Sequence, residues 1–531
     1  MAQMKTPGVY IVEKDAFGNG VVEVATAVPA FIGHTEKAMN GDKSLLGKPM
    51  RISSLAEYMK FFGGTPKYEF DVTQGQTDNT AKKADDKGDA AEGDATKPAA
   101  DAGASSDVIS ISLKGESYNL FNSMRLFFQN GGGPCYIVSI GSYSDEYDPT
   151  KFEGGITPLL KEDEPTMIVI PEAVNLKAED CISLQQAVLM HCGKMQSRVG
   201  ILDIYDGYKD RQDPSGDVIT NFRSAVGVNN LSYGVSYYPW LHTSIVVDNE
   251  LGVQNVSSDS VAALQGIIMK ELNIPEQAAD NEDVTITDLR KMLQNLANIN
   301  RDDYDSGTDD VPSITEYNKI LTANSKKFNS IIKNIREKLN LLPPSAAMAG
   351  VYTFVDSNRG VWKAPANVSL NSVVSPAVNV SHDEQMDLNV SLTGKSINAI
   401  RPFIGEGVLV WGARTLDGNS KDWRYINVRR TLIMLEQSIK HAAKAYVFEP
   451  NDANTWTTMK SMIDSFLIGQ WKQGALVGAT PQEAFSVAVG LGQTMTGDDI
   501  LEGILRITIL VAVSRPAEFI EITFQQQMQK S

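Results

Sequence analysis

Cysteine is scarce in this chain, which has three among 531 residues, at positions 135, 181 and 192. An odd and sparse set cannot build a disulfide framework, so the sequence indicates a reducing compartment. Long apolar runs are also missing. The most apolar late stretch, ILRITILVAV, contains Arg506 and has about half the length that crosses a bilayer, and MAQMKTPGVY at the start lacks a signal-peptide core. We therefore expect neither membrane insertion nor general export.

Positive charge is in deficit as well. Lys and Arg number 48 against 65 Asp and Glu, which gives a net charge of −17, and such a field repels phosphate backbones. The nearest approach to an aromatic and basic surface is VRR at 428–430 together with the tryptophans at 411, 423, 456 and 471. Their helical spacing favours core and subunit contacts instead. We expect no nucleic-acid partner.

Recognisable catalytic and metal-binding motifs are missing. His34 and Glu36 form an HxE pair, but Val138 stands where a zinc deaminase would have the second cysteine after Cys135. Cys135 is therefore interpreted as a small buried strand residue.

Cys181, His191 and Cys192 fall in and at the end of one predicted helix without the four-ligand spacing of a structural zinc site. The segment 41–48 resembles a phosphate loop only loosely, because Pro49 replaces the residue that would hold magnesium. We predict no catalytic residues, no cofactor and no metal, although a site assembled from distant residues stays open.

The chain has a globular composition, with 42% hydrophobic and 21% charged residues. Its length of 531 residues is enough for about three or four folding units. Between Asp71 and Asp107 the composition changes to Ala, Asp, Gly, Lys and Thr, which cannot offset the entropy of ordering. We interpret 71–107 as a mobile surface loop. Strands are predicted within 21–32, and a strand–helix–strand rhythm over 135–204 indicates an α/β layer.

The remaining segments are helical and then mixed. Residues 248–342 are polar, with amphipathic helices of which the last opens at Ser313 and runs to Pro343. Later come a helix over 432–439, a strand at Tyr446–Phe448, a helix over Thr455–Gln473 and a central strand at Leu505–Val513. Last, Ile520, Ile522 and Phe524 alternate with polar residues, as in a strand with one wet face.

One segment is highly distinctive: INAIRPFIGEGVLVWGARTLDGNSKDWRYINVRRTLIMLEQSI at 397–439. It is followed by VFEPND, WKQGALVGATPQEAF and SRPAEFIEITF, and preceded by SYYPWL, LPPSAAMAGVY and RGVWKAPAN. KTPGVYIVE at 5–13 and SLAEYMKFFGG at 54–64 complete the pattern. Together these segments resemble the tail sheath family of contractile phage tails, R-type bacteriocins and phage-derived extracellular contractile injection systems. The resemblance leaves out mainly 71–107 and 248–341, which look like insertions.

The resemblance implies a mixed α/β (α+β) fold, a multi-domain subunit whose core domain is built from the two chain ends, with outer domains inserted between them. The boundaries that we assign are 1–40 for an N-terminal arm and strands joining the core domain, 41–70 for the start of the outer region, 71–107 for a disordered surface loop, 108–247 for an α/β outer domain, 248–341 for a helical insertion, 342–393 for the return of the outer domain, and 394–531 for the C-terminal core domain with a terminal arm strand.

The resemblance also implies how subunits join: extended arms at both termini add strands to a sheet of a neighbour, which would satisfy the unpaired backbone groups of a lone strand. An ordinary strand pair within one chain is the alternative. The predicted arm strands comprise Val9, Tyr10, Ile11 and Val12 at one end and Ile520, Ile522 and Phe524 at the other.

The resemblance implies that the sheath surrounds an inner tube and that the core domain lies next to this tube. The tube would therefore meet the helix Thr455–Gln473. Its polar residues Lys460, Asp464 and Lys472 are the predicted contacts; a solvated face without a partner is the alternative. Six arginines are interpreted as fork-shaped partners for carboxylates, in the core or between subunits, with a solvated face open for any one of them: Arg401, Arg414, Arg424, Arg429, Arg430 and Arg515.

The function implied is a non-enzymatic structural subunit that polymerises as stacked hexameric rings around an inner tube and contracts to drive the tube through a target cell envelope. The implied partners are further copies of the chain, the inner tube, baseplate and tail-terminator proteins, and paralogous sheath subunits. Assembly is expected in the bacterial cytoplasm, before the particle acts as a phage tail or an extracellular tail-like particle. Two rivals stay open: a soluble cytoplasmic α/β enzyme, and a surface-layer protein, for which repeats and an export signal would be expected.

Overall fold

The computed structural model describes residues 20–75, 108–277, 284–299 and 312–522. These residues divide into two compact units. Unit 1 comprises 20–64, 123–240 and 343–522, and unit 2 comprises 65–75, 108–122 and the described parts of 241–342. The chain therefore leaves unit 1 twice to build unit 2, and both returns lead back into the same unit.

The described residues contain the following elements. The strands are β1 (Pro29–Thr35), β2 (Met39–Asn40), β3 (Lys43–Ser44), β4 (Met50–Ile52), β5 (Glu69–Gly75), β6 (Val108–Lys114), β7 (Cys135–Ser142), β8 (Met167–Val169), β9 (Val199–Asp203), β10 (Gly234–Tyr238), β11 (Leu241–Thr243), β12 (Leu341–Leu342), β13 (Val373–Pro376), β14 (Asn398–Phe403), β15 (Gly407–Trp411), β16 (Phe485–Ala488) and β17 (Thr508–Val511). The helices are α1 (Leu55–Phe62), α2 (Leu120–Gln129), α3 (Pro149–Ile156), α4 (Ala178–Met195), α5 (Val218–Ala225), α6 (Val261–Glu271), α7 (Val284–Gln294), α8 (Ile314–Asn324), α9 (Lys326–Leu339), α10 (Ser345–Arg359), α11 (His382–Asn389), α12 (Ile426–Ala443), α13 (Ala453–Gln473), α14 (Pro481–Ala484) and α15 (Gly497–Leu501).

An eight-stranded sheet forms the centre of unit 1, in the order β15-β14-β10-β9-β8-β1-β7-β4. The six inner strands run parallel, while β4 and β15 pair antiparallel at the two edges. The inner strands β1, β8, β9 and β10 are buried along their whole length. Continuous apolar strands are typical of a parallel sheet that is covered on both faces, so the predicted α/β layer is confirmed.

Helix α10 follows the sequence LPPS and packs against the sheet with unusually small residues. Ala346, Ala347 and Ala349 are completely buried. A Cβ at Gly350 would lie 2.6 Å from the backbone oxygen of Phe127 in α2, so only glycine permits this close approach of two helices. At the start of α10, the buried carboxylate of Asp203 accepts hydrogen bonds from the backbone and the hydroxyl of Ser345.

Unit 2 combines the antiparallel hairpin β5–β6 with helices α6 to α9 around a separate apolar core. The helix predicted to run from Ser313 to Pro343 is interrupted at Ser325, which caps α9. Glu271 of α6 reinforces this cap, since its carboxylate accepts hydrogen bonds from the backbone of Lys326 and Lys327 at 2.8 and 3.1 Å. The negative charge at a helix N-terminus is stabilising.

Several expected element boundaries differ from the structure. The strand predicted at Tyr446–Phe448 is wrong, because Tyr446 ends a short 3-10 helix, Lys444–Tyr446, and Val447 and Phe448 lie in a turn. The strand at 505–513 is shorter than expected and lies in a two-stranded sheet with β16, not in a sheet centre. Residues 71–75, interpreted as loop, complete β5, and 76–107 lie outside the described residues.

The large sheet is assembled from distant parts of the chain. β1 comes from the segment that we assigned to an N-terminal arm and the core domain, β14 and β15 come from the segment assigned to the C-terminal core, and all three belong to one sheet with β7 to β10. The predicted helical insertion lies in unit 2, together with β5 and β6. Long-range strand pairing determines this arrangement, and local periodicity does not reveal it.

Candidate subunit-contact surfaces

The C-terminal part of unit 1 forms a smaller structural layer, which we call the C-terminal module (residues 426–513). Its core lies between α12, α13, β16 and β17, where Met434, Ile463, Leu467 and Phe485 are buried together. On α13, Met459, Ile463, Phe466 and Leu467 are buried, whereas Trp456 and Trp471 are only half-buried.

An extended N-terminal segment, residues 20–27, lies along this module. The Val24 amide donates to Ser438 Oγ at 3.0 Å, the Arg430 guanidinium donates to the Thr26 carbonyl at 3.0 Å, and Gln470 donates to Glu23 at 3.1 Å. Val21 and Val24 pack on the module core. The chain's N-terminal segment is therefore fixed to α12 and α13 from residue 20 onward. The predicted arm residues Val9, Tyr10, Ile11 and Val12 lie outside the described residues.

The sheet of the C-terminal module has an open edge. Ala512 donates to the Ala484 carbonyl and accepts from Val477, each at 2.8 Å. In an antiparallel strand the backbone groups of neighbouring residues point to opposite sides. The backbone N–H and C=O groups of Val511 and Ile509 therefore point away from β16. Among the described residues, no strand pairs with this edge. Leu510 also projects outward, with 65% of its surface exposed.

Glu518 anchors the chain a few residues beyond β17. The Arg414 guanidinium donates two nearly parallel hydrogen bonds to its carboxylate, Nε to Oε1 at 2.9 Å and Nη2 to Oε2 at 2.6 Å. Asn389 and the Tyr425 hydroxyl donate two more, at 2.8 and 3.1 Å. Burial by itself would raise the pKa of Glu518, but the hydrogen bonds from Arg414, Asn389 and Tyr425 outweigh it and lower that pKa.

The residues directly after Glu518 are apolar and exposed. Phe519, Ile520 and Ile522 leave 74%, 78% and 70% of their surfaces uncovered. Residues 519–522 are not assigned to a strand, and the predicted arm residue Phe524 lies outside the described residues. An isolated subunit thus presents a run of apolar side chains immediately after a fixed anchor, which is the arrangement that a terminal arm requires.

The predicted tube-contact residues lie on the outer side of α13. Lys460 and Lys472 are exposed, and Asp464 is half-buried. Burial raises the pKa of Asp464, and the nearby charge of Lys460 partly opposes that effect. All three side chains are on the polar side of the helix.

Three of the six arginines contact a carboxylate, and three contact other groups. Arg430 binds Asp356, Arg414 binds Glu518, and Arg515 approaches Asp422 at 3.7 Å. The other three have no carboxylate partner in the described contacts: Arg401 donates to Gln385, Arg424 to a backbone carbonyl, and Arg429 stacks between Tyr233 and Trp423. The carboxylate partners Asp356 and Glu518 were missed from the sequence because they are 74 and 104 residues away from their arginines.

The motif residues weighed for chemistry do not assemble into a metal site. Within the four described ranges, no group of three His, Cys, Asp or Glu side chains is arranged to hold an ion. His34 binds Glu172 at 2.8 Å in a fully buried pair, whereas Glu36 accepts from the Gly64 amide.

All three cysteines are buried, as predicted for Cys135. Cys135 lies in β7, and burial raises the pKa of Cys181 and Cys192 to about 12, so their thiols are inert. In the part of the chain that the structure describes, no helix is long and apolar enough to span a bilayer.

Comparison with known proteins gives consistent matches. Residues 419–527 match the phage tail sheath C-terminal domain family. The predicted resemblance to tail sheath proteins is thereby confirmed over these residues. The tail sheath protein of Vibrio phage KVP40 is 30% identical over 127 residues, which are 24% of this chain and 19% of that protein. The tail sheath protein of Burkholderia phage BcepMu is 29% identical over 146 residues, 26% of this chain and 30% of that protein. The chain thus spans less than a third of each of these two relatives.

Solved sheath structures match over nearly the whole chain. A chain of the anti-feeding prophage helical sheath in its contracted state is 26% identical, with a TM-score of 0.58 and coverage of 99% of this chain and 100% of that one. A chain of the anti-feeding prophage baseplate is 27% identical, with a TM-score of 0.56 and the same coverage. The predicted mixed α/β sheath fold is therefore confirmed for the described residues.

Proposed function

We propose that this chain is a structural subunit of a contractile sheath, which polymerises around an inner tube and contracts to drive the tube through a target envelope. The full-length similarity to a helical sheath in the contracted state is the observation that carries the proposal. The enzyme alternative has no comparable support, because the proteins matched are structural sheath components.

The surfaces of the C-terminal module fit this role. An open strand edge at β17 and exposed apolar residues at 519–522 complement each other, since an edge strand offers backbone groups that a second chain can satisfy. The partners that we infer are other copies of the chain and, by similarity to the baseplate chain, a baseplate. An inner tube at α13, a terminator and paralogous sheath subunits belong to the same proposal, as does assembly in the bacterial cytoplasm.

Contraction requires no nucleotide in this proposal. The sheath assembles in an extended, kinetically trapped lattice and moves to a contracted lattice of lower free energy. Rigid-body rotation of subunits exchanges one set of contacts for another, while the arms keep the lattice connected.

Electron microscopy tests the proposal directly. Full-length chain co-expressed with the tube protein encoded beside it should yield tubes of uniform width, and mild denaturant should convert long tubes into shorter, wider ones. Discrete particles in every preparation, with or without the tube protein, would contradict it.

A further inference from the structure

We infer that Arg414 and Glu518 form a clasp that fixes the root of the C-terminal arm, and that subunit association depends on this clasp. The inference rests on the proposed function and deepens it: the partner is a second copy of this chain, and Glu518 is a positioning residue that acts through the apolar residues after it. The geometry points to this role because Glu518 is held by four hydrogen bonds, whereas Phe519 and Ile520 directly after it are exposed.

The chain is held tightly up to the clasp. Ser514 donates its backbone N–H to the Ala475 carbonyl at 3.1 Å and accepts from the Asn427 amide at 3.1 Å. Glu518 then receives charge-assisted and neutral hydrogen bonds from three side chains, and Arg414 is only 4% exposed. Bidentate arginine–carboxylate pairs are among the strongest and most directional hydrogen bonds in proteins.

Arg414 is itself fixed from several sides. Its Nη1 donates to the Asn389 carbonyl at 3.0 Å, and its backbone N–H donates to Asn398 Oδ1 at 2.7 Å. Asn398 belongs to β14, so the clasp connects the terminal segment to the large sheet of unit 1 rather than to the C-terminal module. The position and direction of residue 519 are therefore set by the sheet.

A fixed root raises the effective concentration of the arm at a neighbouring subunit. Breaking the clasp would free the segment after Ser514, so the arm would hang on a longer flexible tether. A longer tether lowers the effective concentration of the arm at the neighbouring subunit. It would also allow Phe519, Ile520 and Ile522 to fold back on their own subunit. Loss of the clasp should thus weaken association much more than it weakens the fold.

The experiment compares Glu518→Gln and Glu518→Ala with Arg515→Gln in the full-length chain. Arg515 is the matched control, because it lies three residues earlier in the same segment and makes only an exposed ion pair with Asp422 at 3.7 Å. We expect both Glu518 variants to raise the critical concentration for tube formation roughly tenfold or more, while Arg515→Gln assembles like the natural chain. Limited digestion of unassembled subunits with chymotrypsin should show faster cleavage after Phe519 in both Glu518 variants, but not in Arg515→Gln.

Two results would overturn the inference. One is normal assembly of both Glu518 variants; the other is a loss of assembly that follows a matching loss of thermal stability with no change in chymotrypsin cleavage after Phe519. If Glu518→Ala does not fold, Glu518→Gln still tests the inference, because its assembly and its cleavage after Phe519 are both measured. Failure of the proposed function is distinct, because the natural chain itself would then form no tubes.

Discussion

Arg430 of α12 and Asp356 of α10 form a buried two-pronged ion pair, with Nη1–Oδ1 at 2.9 Å and Nη2–Oδ2 at 2.6 Å. Each side chain is only 4% exposed. The guanidinium also lies 4.7 Å from the ring centre of Tyr352 and donates to the Thr26 carbonyl. One arginine therefore connects the C-terminal module, the helix that follows LPPS and the N-terminal segment.

Replacing Asp356 with Ala should destabilise the subunit by about 3 to 5 kcal/mol, because it leaves the Arg430 charge buried without its partner. Glu337→Ala is the control, since Glu337 and Lys333 form an exposed pair and such pairs contribute at most about 1 kcal/mol. Urea unfolding of unassembled subunits measures both. Equal effects of the two substitutions would show that the buried pair has no special role.

Asp203 makes the free energy of unfolding of the subunit depend on pH. Burial raises its pKa to about 7, although the hydrogen bonds from Ser345 oppose this shift; in the unfolded chain it is about 3.9. Below about pH 4 both states carry the proton. Between about pH 4 and 7 only the folded state keeps it, so the contribution of this group to stability falls as the pH rises and is lost above the folded pKa.

Asp203→Asn should remove this contribution to the pH dependence, because the amide remains neutral at every pH. The free energy of unfolding of the variant, relative to the natural chain, should increase by at least about 1 kcal/mol between pH 5 and pH 8. Urea titrations at both pH values provide the measurement. A difference that stays constant or declines with pH would contradict the assignment.

Local signals in the sequence predicted the α/β layer well, because β1, β7, β8 and β9 consist mainly of apolar residues. They failed where the fold depends on distant residues. Glu518 stands in a segment that reads as an ordinary strand, and its role depends on Arg414, 104 residues earlier. Similarly, Tyr446–Phe448 has β-forming residues, but Val447 and Phe448 are exposed and bury no strand face.

The tube-contact proposal predicts that Lys460→Glu with Lys472→Glu impairs assembly around the tube and leaves thermal melting of the subunit nearly unchanged. Both lysines are exposed, so the double variant removes weak contacts that are repeated along a tube. Lys440→Glu with Lys444→Glu makes the same change in net charge on α12 and should assemble normally. Tube-filled sheaths from the first variant would exclude α13 as the contact.

Deleting residues 1–14 should leave a folded subunit that forms no contractile sheath. The contacts of Glu23, Val24 and Thr26 with the C-terminal module are retained in this variant, so its melting temperature should remain within a few degrees of the natural value. Removal of the predicted arm strand, in contrast, takes away backbone pairing with a neighbour. Electron microscopy that reveals normal, contracting sheaths would refute the N-terminal arm.

Residues 76–107 should be dispensable for folding and assembly, because they connect two strands that are already paired and are predicted to face the outside of the particle. Gly75 and Val108 stand opposite each other in the β5–β6 ladder, so an Asn-Gly dipeptide can replace the segment with a tight hairpin turn. The shortened chain should melt within a few degrees of the natural one and form contractile tubes.

Deleting 71–107, the whole segment that the sequence analysis interpreted as a loop, is the matched control. That deletion also removes Val72, which is 1% exposed and donates its amide to Ser260 Oγ at 2.9 Å. It should therefore destabilise unit 2, whereas loss of assembly in the 76–107 variant would show that this segment has a structural partner in the sheath.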